Sequence, residues 1–154
     1  MTAIIQPHDQ RGFFMLPQAP ADAGYYVYGN PGGGINQYAH PRMMSLILAV
    51  EREWQGSETR QFGVGDISAA DGPKVRDHNS HRRGLEVDIR PVRKDGLHIA
   101  CTYQDSAYDR NATEKLINLF RACAPNPILI FFNDMKIPGV RPLAKHDHHF
   151  HVQF

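Results

Sequence analysis

Two stretches of the sequence, 41–54 and 111–123, repeat apolar residues at intervals of three and four. This spacing gathers the apolar side chains on one face of a helix, so both stretches are predicted to be amphipathic helices. Pro41 suits the first turn of the first helix, where its missing N–H needs no partner. Asn111, three residues before Glu114, fits a capping box and is the predicted cap of the second helix. The predicted buried residues are Met43, Met44, Ile47, Leu48, Val50, Trp54, Leu116, Leu119, Phe120 and Cys123.

Short alternating or apolar runs indicate about five or six strands. The clearest runs cover residues 25–28, 61–67, 85–92, 128–132 and 149–154. Because successive side chains of a strand point to opposite faces, alternation marks one buried face and one polar face. Helices and strands follow one another in no strict strand–helix–strand order, which predicts an α+β fold.

Residues 1–24 differ from the rest of the chain. They are rich in Pro, Ala and Gln and have weak periodicity, so we predict an irregular N-terminal arm followed by one domain over 25–154. A chain of 154 residues can bury one substantial core. The formal net charge of +1 predicts no long-range attraction to nucleic acid. No run reaches the ~20 apolar residues of a membrane span.

Cys101 and Cys123 are too far apart in sequence to form a CxxC zinc motif. Two small buried side chains are one interpretation of them. A disulfide is the other, and only an oxidising compartment would keep it. The sequence leaves both interpretations open.

Histidine is the unusual component of the composition, with nine residues, most of them in two clusters. The first cluster is in the segment 78–88. If 85–92 is a strand, Asp88 and Arg90 share its polar face. Gly84 permits a sharp turn before that strand, which can bring His81 back over the same face.

The second cluster is in the segment 146–154, which alternates apolar and polar residues. His149 and His151 then lie on one face, roughly 6.5–7 Å apart along the strand. If this terminal strand pairs beside 85–92, the two polar faces join. His149, His151 and Asp88 would then lie on a shared surface.

Any one of these residues alone is more simply explained as a solvated side chain, but together they form a pattern. Two His and one carboxylate suit a catalytic zinc site with a fourth position for water. We therefore predict that His81, Asp88 and His151 hold Zn²⁺ and that the zinc-bound water is the nucleophile. His149 is predicted to be the catalytic group that moves a proton or stabilises the oxyanion.

These residues resemble the signature of the LAS metallopeptidases, a group with lysostaphin, D-Ala-D-Ala metallopeptidases and hedgehog-type domains. Within that group the chain is most similar to the penicillin-insensitive murein endopeptidases. The resemblance is carried by His78 to Ile89 and by His146 to Val152, and extends weakly from about Gln37 to the C-terminus.

The resemblance implies a central antiparallel sheet flanked by about two helices, and it implies cleavage of peptide cross-links in peptidoglycan. It implies His81, Asp88 and His151 as zinc ligands and His149 as the catalytic histidine. His146 and His78 occupy matching positions, where they orient substrate or a ligand, or form only supporting hydrogen bonds. The partner is then the peptide stem, and the bond cut is either D,D or L,D.

Other polar residues are less specific. Asp66 and Asp134 end predicted strands, where turn carboxylates and site carboxylates look alike. Peptide stems carry carboxylates, so Arg90 is a candidate substrate contact, although a solvated basic edge is an equal alternative. The basic neighbourhood near the predicted site comprises Arg82, Arg83, Arg90, Arg93 and Lys94.

The N-terminus has neither the basic region nor the apolar run of a signal peptide. A wall hydrolase acts in the periplasm or cell wall, so delivery without a leader is one hypothesis. A phage lysis or tail enzyme, or an injected effector with an immunity or delivery partner, would fit. Truncation of a longer protein explains the observation equally well.

Two alternatives belong to other classes of protein. A non-haem iron oxygenase also uses two His and one carboxylate, but its usual His-x-Asp spacing is absent here. A non-catalytic hedgehog-like zinc domain would bind a wall or partner peptide with the same ligands. The presence of His149 and His146 favours the enzyme.

Overall fold

Both predicted helices are present in the computed structural model, which describes residues 7–29, 31–76 and 78–154. Helix α1 spans Pro41–Gln55, with Pro41 in its first turn as predicted. Helix α2 spans Arg110–Cys123. The two helices pack against each other and against one face of the main sheet. Neither is long and apolar enough to cross a bilayer.

The cap of α2 is Asp109, so the prediction of Asn111 was wrong. An Asp109 carboxylate oxygen accepts a hydrogen bond from the Ala112 N–H at 3.0 Å. Asn111 already lies inside the first turn. A carboxylate one residue outside the helix accepts a hydrogen bond from an N–H that has no partner within the helix. Its negative charge also complements the positive end of the helix dipole.

The buried face of α2 is also rotated from the predicted one. Leu116 and Phe120 are fully buried as predicted, whereas Leu119 and Cys123 are only partly buried. The apolar residues of this helix allow two overlapping stripes, and packing against α1 decides between them. The buried residues of the two helices are Met43, Leu46, Ile47, Val50, Trp54, Ala112, Thr113, Leu116, Ile117 and Phe120.

Five strands form the main sheet. They are β2 (Tyr25–Val27), β4 (Phe62–Val64), β5 (Glu86–Ile89), β6 (Leu129–Phe131) and β7 (Phe150–Gln153), in the spatial order β2-β4-β5-β7-β6. The sheet is antiparallel from β4 to β6, as predicted, but β2 pairs with β4 in parallel. Helix α1 lies between β2 and β4 in the chain and makes the crossover that a parallel pair requires. The fold is therefore α+β with a mixed sheet.

The predicted arm, 1–24, lies partly outside the described residues, because its first six positions are not among them. Its described part contributes strand β1 (Phe14–Met15), which pairs with β3 (Tyr38–Ala39) in a small antiparallel sheet. Leu16 is fully buried in the core. This part of the arm packs against the domain.

The main sheet has two chemically different faces. Val87 and Ile89 of β5, and Phe150 and Val152 of β7, point toward the helices and are fully buried. Asp88 and His151 alternate with them and point to the other face. The predicted alternation is thus confirmed, and the polar face is where the predicted site residues lie. Both cysteines are free.

Candidate metal centre

The register of β5 against β7 brings the first two site residues together. Asp88 lies directly opposite His151 in this antiparallel pair, which confirms the predicted pairing of the terminal strand. The Asp88 Oδ1 to His151 Nδ1 distance is 2.9 Å. Both side chains are buried, so water screens their charges little.

His81 reaches this pair from the turn before β5. Its own backbone has φ +62°, and Gly84 has φ +67°, both in the left-handed region. That conformation is unfavourable for a non-glycine residue. The turn is secured by the His81 N–H, which donates to Glu86 Oε2 at 2.8 Å. The turn folds the imidazole back over the sheet, where His81 is 1% exposed.

The hydrogen bonds of the two imidazoles determine which nitrogens face inward. His81 Nδ1 lies 3.0 Å from the Ile67 carbonyl oxygen, which only accepts, so Nδ1 is the donor. His151 Nε2 lies 3.2 Å from Gln153 Oε1 and donates to it. In the neutral rings, His81 Nε2 and His151 Nδ1 therefore carry lone pairs.

These lone pairs converge with a carboxylate oxygen. His81 Nε2 lies 3.1 Å from His151 Nδ1 and 3.3 Å from Asp88 Oδ1. Three acceptors at such distances repel one another unless a positive charge lies between them. The chemistry of the donor set therefore fits a metal cation, and in its absence a proton.

The pKa shifts have the same electrostatic origin. Burial alone raises the pKa of Asp88, but hydrogen bonds and charge from His151 and His81 hold it well below its usual range. Burial lowers the pKa of His81, yet Asp88 and Glu86 outweigh it and leave that pKa above its ordinary value. The site stabilises a carboxylate beside a cation.

His78 adds a further imidazole at the edge of this group. One ligand atom each of His78, His81 and Asp88 lies within 4.8 Å of the others, so these three residues could also hold a metal ion. His78 Nε2 is 3.1 Å from Asp66 Oδ2 and 3.9 Å from Asp88 Oδ2. The set of His81, Asp88 and His151 is tighter, and the nitrogen of His78 that faces Asp88 is closer to Asp66.

His149 and His146 lie beside the buried group. His149 Nε2 is 3.7 Å from Asp88 Oδ1, and its ring centroid is 4.5 Å from that of His146. Burial lowers the pKa of His149 to about 4, although Asp88 opposes the shift. Burial also lowers the pKa of His146, whose Nδ1 donates to the Ala144 carbonyl at 2.9 Å. Both shifts favour the neutral form of the imidazole.

Two grooves meet at this group. One, of about 680 Å³, runs past Tyr28 and Arg90, and the other, of about 630 Å³, runs past Phe131 and Leu143. Both grooves are lined by His78, His148 and His149. Of the predicted basic neighbourhood, Arg90 lines the first groove, whereas Arg82 and Arg83 line a separate depression.

The two ambiguous carboxylates have different roles. Asp66 lies in the groove against His78. Asp134 accepts hydrogen bonds from Tyr108 at 2.8 Å and Arg110 at 2.7 Å, and so ties α2 to the segment after β6. Asp66 is adjacent in sequence to Ile67, whose carbonyl accepts the hydrogen bond from His81 Nδ1. This hydrogen bond had no signal in the sequence.

The sequence also missed Glu86, which secures the His81 turn, and Tyr28, which lines the groove. The alternation of the strand predicts Glu86 on the same face as Asp88, but its hydrogen bond to the His81 turn had no signal in the sequence. Tyr28 directly follows β2, which lies two places from β5 in the sheet. Only the sheet order reveals its proximity.

Gly84→Ala is expected to destabilise the fold and displace His81. A Cβ at Gly84 would lie 2.6 Å from the His40 backbone nitrogen, in addition to the unfavourable φ of +67°. The left-handed conformation alone costs about 1–2 kcal/mol for alanine. In urea unfolding, Gly84→Ala should therefore lower the free energy of unfolding by more than this conformational cost.

Gly12→Ala is the matched control, because Gly12 has φ +74° and its added Cβ would contact nothing within 4 Å. Equal losses of unfolding free energy in the two variants would show that the contact with His40 is unimportant.

The sheet, the turn and the strand pairing together define an α+β protein with a buried group of His and Asp residues able to hold a metal ion. Residues 34–118, more than half of the chain, match the family model described as penicillin-insensitive murein endopeptidase. The chain belongs to the penicillin-insensitive murein endopeptidase family. The match contains His78, His81 and Asp88 and ends before His149 and His151. No curated protein matches the chain.

Proposed function

We propose that this protein is a zinc-dependent endopeptidase that hydrolyses peptide cross-links of bacterial peptidoglycan, in the periplasm or cell wall. The observation that carries the proposal is the convergence of His81 Nε2, Asp88 Oδ1 and His151 Nδ1, at 2.9–3.3 Å from one another. The family match supports peptidoglycan as the substrate.

The three convergent atoms suit zinc in chemistry, and their separations of 2.9–3.3 Å are at or slightly below those of a zinc site. Tetrahedral zinc with bonds of about 2.0–2.1 Å places its ligand atoms about 3.3–3.4 Å apart. Two imidazoles and one carboxylate leave a place for water. The Ile67 carbonyl and Gln153 orient the two imidazoles, as supporting hydrogen bonds do in zinc sites.

When bound, zinc would activate a water molecule and polarise the carbonyl of the bond to be cut. His149 lies where both grooves meet, and its Nε2 is close to Asp88. We assign His149 Nε2 the transfer of a proton from the attacking water to the leaving amine. His146, whose ring lies against that of His149, orients it.

The two grooves suit a substrate that continues in both directions from the bond cut. A cross-link joins two peptide stems, and each groove would hold one stem. The groove past Phe131 and Leu143 is the more apolar of the two and is lined by one lysine, Lys145, whereas the other is lined by Lys74, Arg76 and Arg90. This difference would give the cross-link one direction of binding.

The test is digestion of purified peptidoglycan and of isolated cross-linked muropeptides. The wild-type protein should release new amine ends, a chelator should stop the release, and added zinc should restore it. Mass spectrometry of the fragments then identifies a D,D or an L,D bond. Binding to peptidoglycan without new amine ends, in zinc-loaded protein, would refute the enzyme and favour a hedgehog-like binding domain.

A further inference from the structure

Arg90 lies on the polar sheet face beside the candidate metal centre. It follows Asp88 by two positions, which places the two Cα atoms roughly 6.5 Å apart along the strand. Its guanidinium carbon lies 4.0 Å from the ring centroid of Tyr28 and 5.9 Å from that of Tyr26. Nη1 of Arg90 donates to the His98 carbonyl at 3.2 Å. Arg90 is thus held over two aromatic rings.

Two glycines of the intervening strand region make room for these rings. A Cβ at Gly63 would lie 2.7 Å from Cζ of Tyr26, and a Cβ at Gly65 would lie 2.5 Å from Cζ of Tyr28. Any side chain at either position would push the corresponding ring away. The absence of side chains lets both tyrosines lie across β4 and reach Arg90, which directly follows β5.

The described residues of this cluster leave one buried donor, the Tyr28 hydroxyl, without an acceptor and engage only part of the Arg90 guanidinium. Within 7–29, 31–76 and 78–154, the buried Tyr28 hydroxyl has no hydrogen-bond partner. Over the same residues Arg90 forms no ion pair, and the nearby carboxylates Asp66 and Asp88 face histidines. A guanidinium stacked by its face on an aromatic ring keeps available for a carboxylate those edge N–H groups that the His98 carbonyl and Tyr26 do not engage.

Tyr28 remains a donor at every physiological pH. Burial, together with the negative charge of Asp88, raises the pKa of its hydroxyl well above the usual range. A protonated hydroxyl beside a guanidinium suits an anionic acceptor.

We propose that Arg90 and Tyr28 form a carboxylate-binding subsite that recognises a free carboxylate of the peptide close to the bond being cut. An extended peptide advances about 3.3–3.6 Å per residue, so that carboxylate belongs within about two residues of the bond. The proposal rests on the proposed peptidase function and adds its specificity: a stem with a free carboxylate is preferred over the same stem amidated.

The test compares two synthetic cross-linked peptides that differ only in a carboxylate or carboxamide next to the scissile bond. Zinc-loaded wild-type protein should cleave the carboxylate peptide with the higher kcat/KM, by about 10- to 100-fold, the value of a hydrogen bond to a charged group. The Arg90→Gln variant should lose its preference for the carboxylate peptide, because its KM for that peptide rises. Cleavage of the amidated peptide should fall much less, so that the ratio of the two kcat/KM values approaches one.

Tyr28→Phe removes the hydroxyl while retaining the ring under Arg90, so it should lower the preference without loss of thermal stability. Arg83→Gln is the control, because Arg83 is exposed and lines a different depression. It makes the same change of net charge and should retain the full preference.

Three outcomes separate the two proposals. Equal cleavage of both peptides by the wild type would overturn the subsite and leave the peptidase intact. An equal loss on both peptides in a folded Arg90→Gln variant would also overturn the subsite. No cleavage of either peptide, nor of isolated muropeptides, would overturn the peptidase and the subsite together.

Discussion

Asp88→Asn is expected to remove the bound metal and the peptidase activity together. The amide cannot supply the negative charge that offsets a divalent cation between two imidazoles. Loss of a supporting hydrogen bond alone costs zinc sites about 10- to 100-fold in metal affinity, so loss of a ligand should cost at least about 100-fold. Metal content by mass spectrometry and release of amine ends from muropeptides measure the two effects.

A thermal shift gives an independent readout of the same substitution. A ligand that binds only the folded state raises the melting temperature, so zinc should stabilise the wild type and not Asp88→Asn. His151→Ala should behave in the same way. His8→Ala is the control, because His8 lies in the N-terminal segment beside Phe14. It should keep both metal and activity. Zinc-dependent stabilisation retained in both site variants would contradict the assigned ligands.

His149→Ala is expected to lower kcat by about 10²- to 10⁴-fold, the usual contribution of a positioned proton-transfer group. Its Nε2 lies 3.7 Å from Asp88 Oδ1, farther than the nearest nitrogens of His81 and His151. The variant should therefore keep its metal. Steady-state kinetics on an isolated muropeptide and metal analysis on the same sample measure the two quantities.

His148→Ala provides the comparison, since His148 is adjacent in sequence, more exposed, and in ring contact with His149. It should lose far less activity. If His149→Ala loses its metal along with its activity, the residue is a ligand and its assigned role in proton transfer is wrong. A similar loss of kcat in both variants would show that neither imidazole has a specific role.

The shared polar face of the site was predictable from sequence because its strands alternate. The buried face is marked by the apolar residues that flank each site residue in sequence: Val87 and Ile89 around Asp88, and Phe150 and Val152 around His151. This assignment needs no knowledge of the fold. The polar face follows from that alternation. The pairing of the two strands was a hypothesis, and the structure confirms it with Asp88 opposite His151.

Other parts of the molecule depend on contacts that no local pattern contains. Strand β2 is a parallel edge strand because α1 crosses over between β2 and β4. Asp109 is the cap because α2 begins at the next residue. Tyr28 reaches the groove only because β2 lies beside β4 and Gly65 leaves space for its ring. Sequence periodicity identifies which face a residue lies on, but not which strands are neighbours.

The Asp88–His151 contact joins positions 63 apart in the chain, and the His81–His151 contact joins positions 70 apart. A metal ion held by these residues would act as a cross-link between distant segments, comparable to a disulfide that closes a long loop. Unlike a disulfide, the ion leaves when the chain unfolds, so it would stabilise the fold by binding only after these distant segments have come together. The ion would then fasten β7 into the sheet, and resistance of that strand to proteolysis would depend on metal supply.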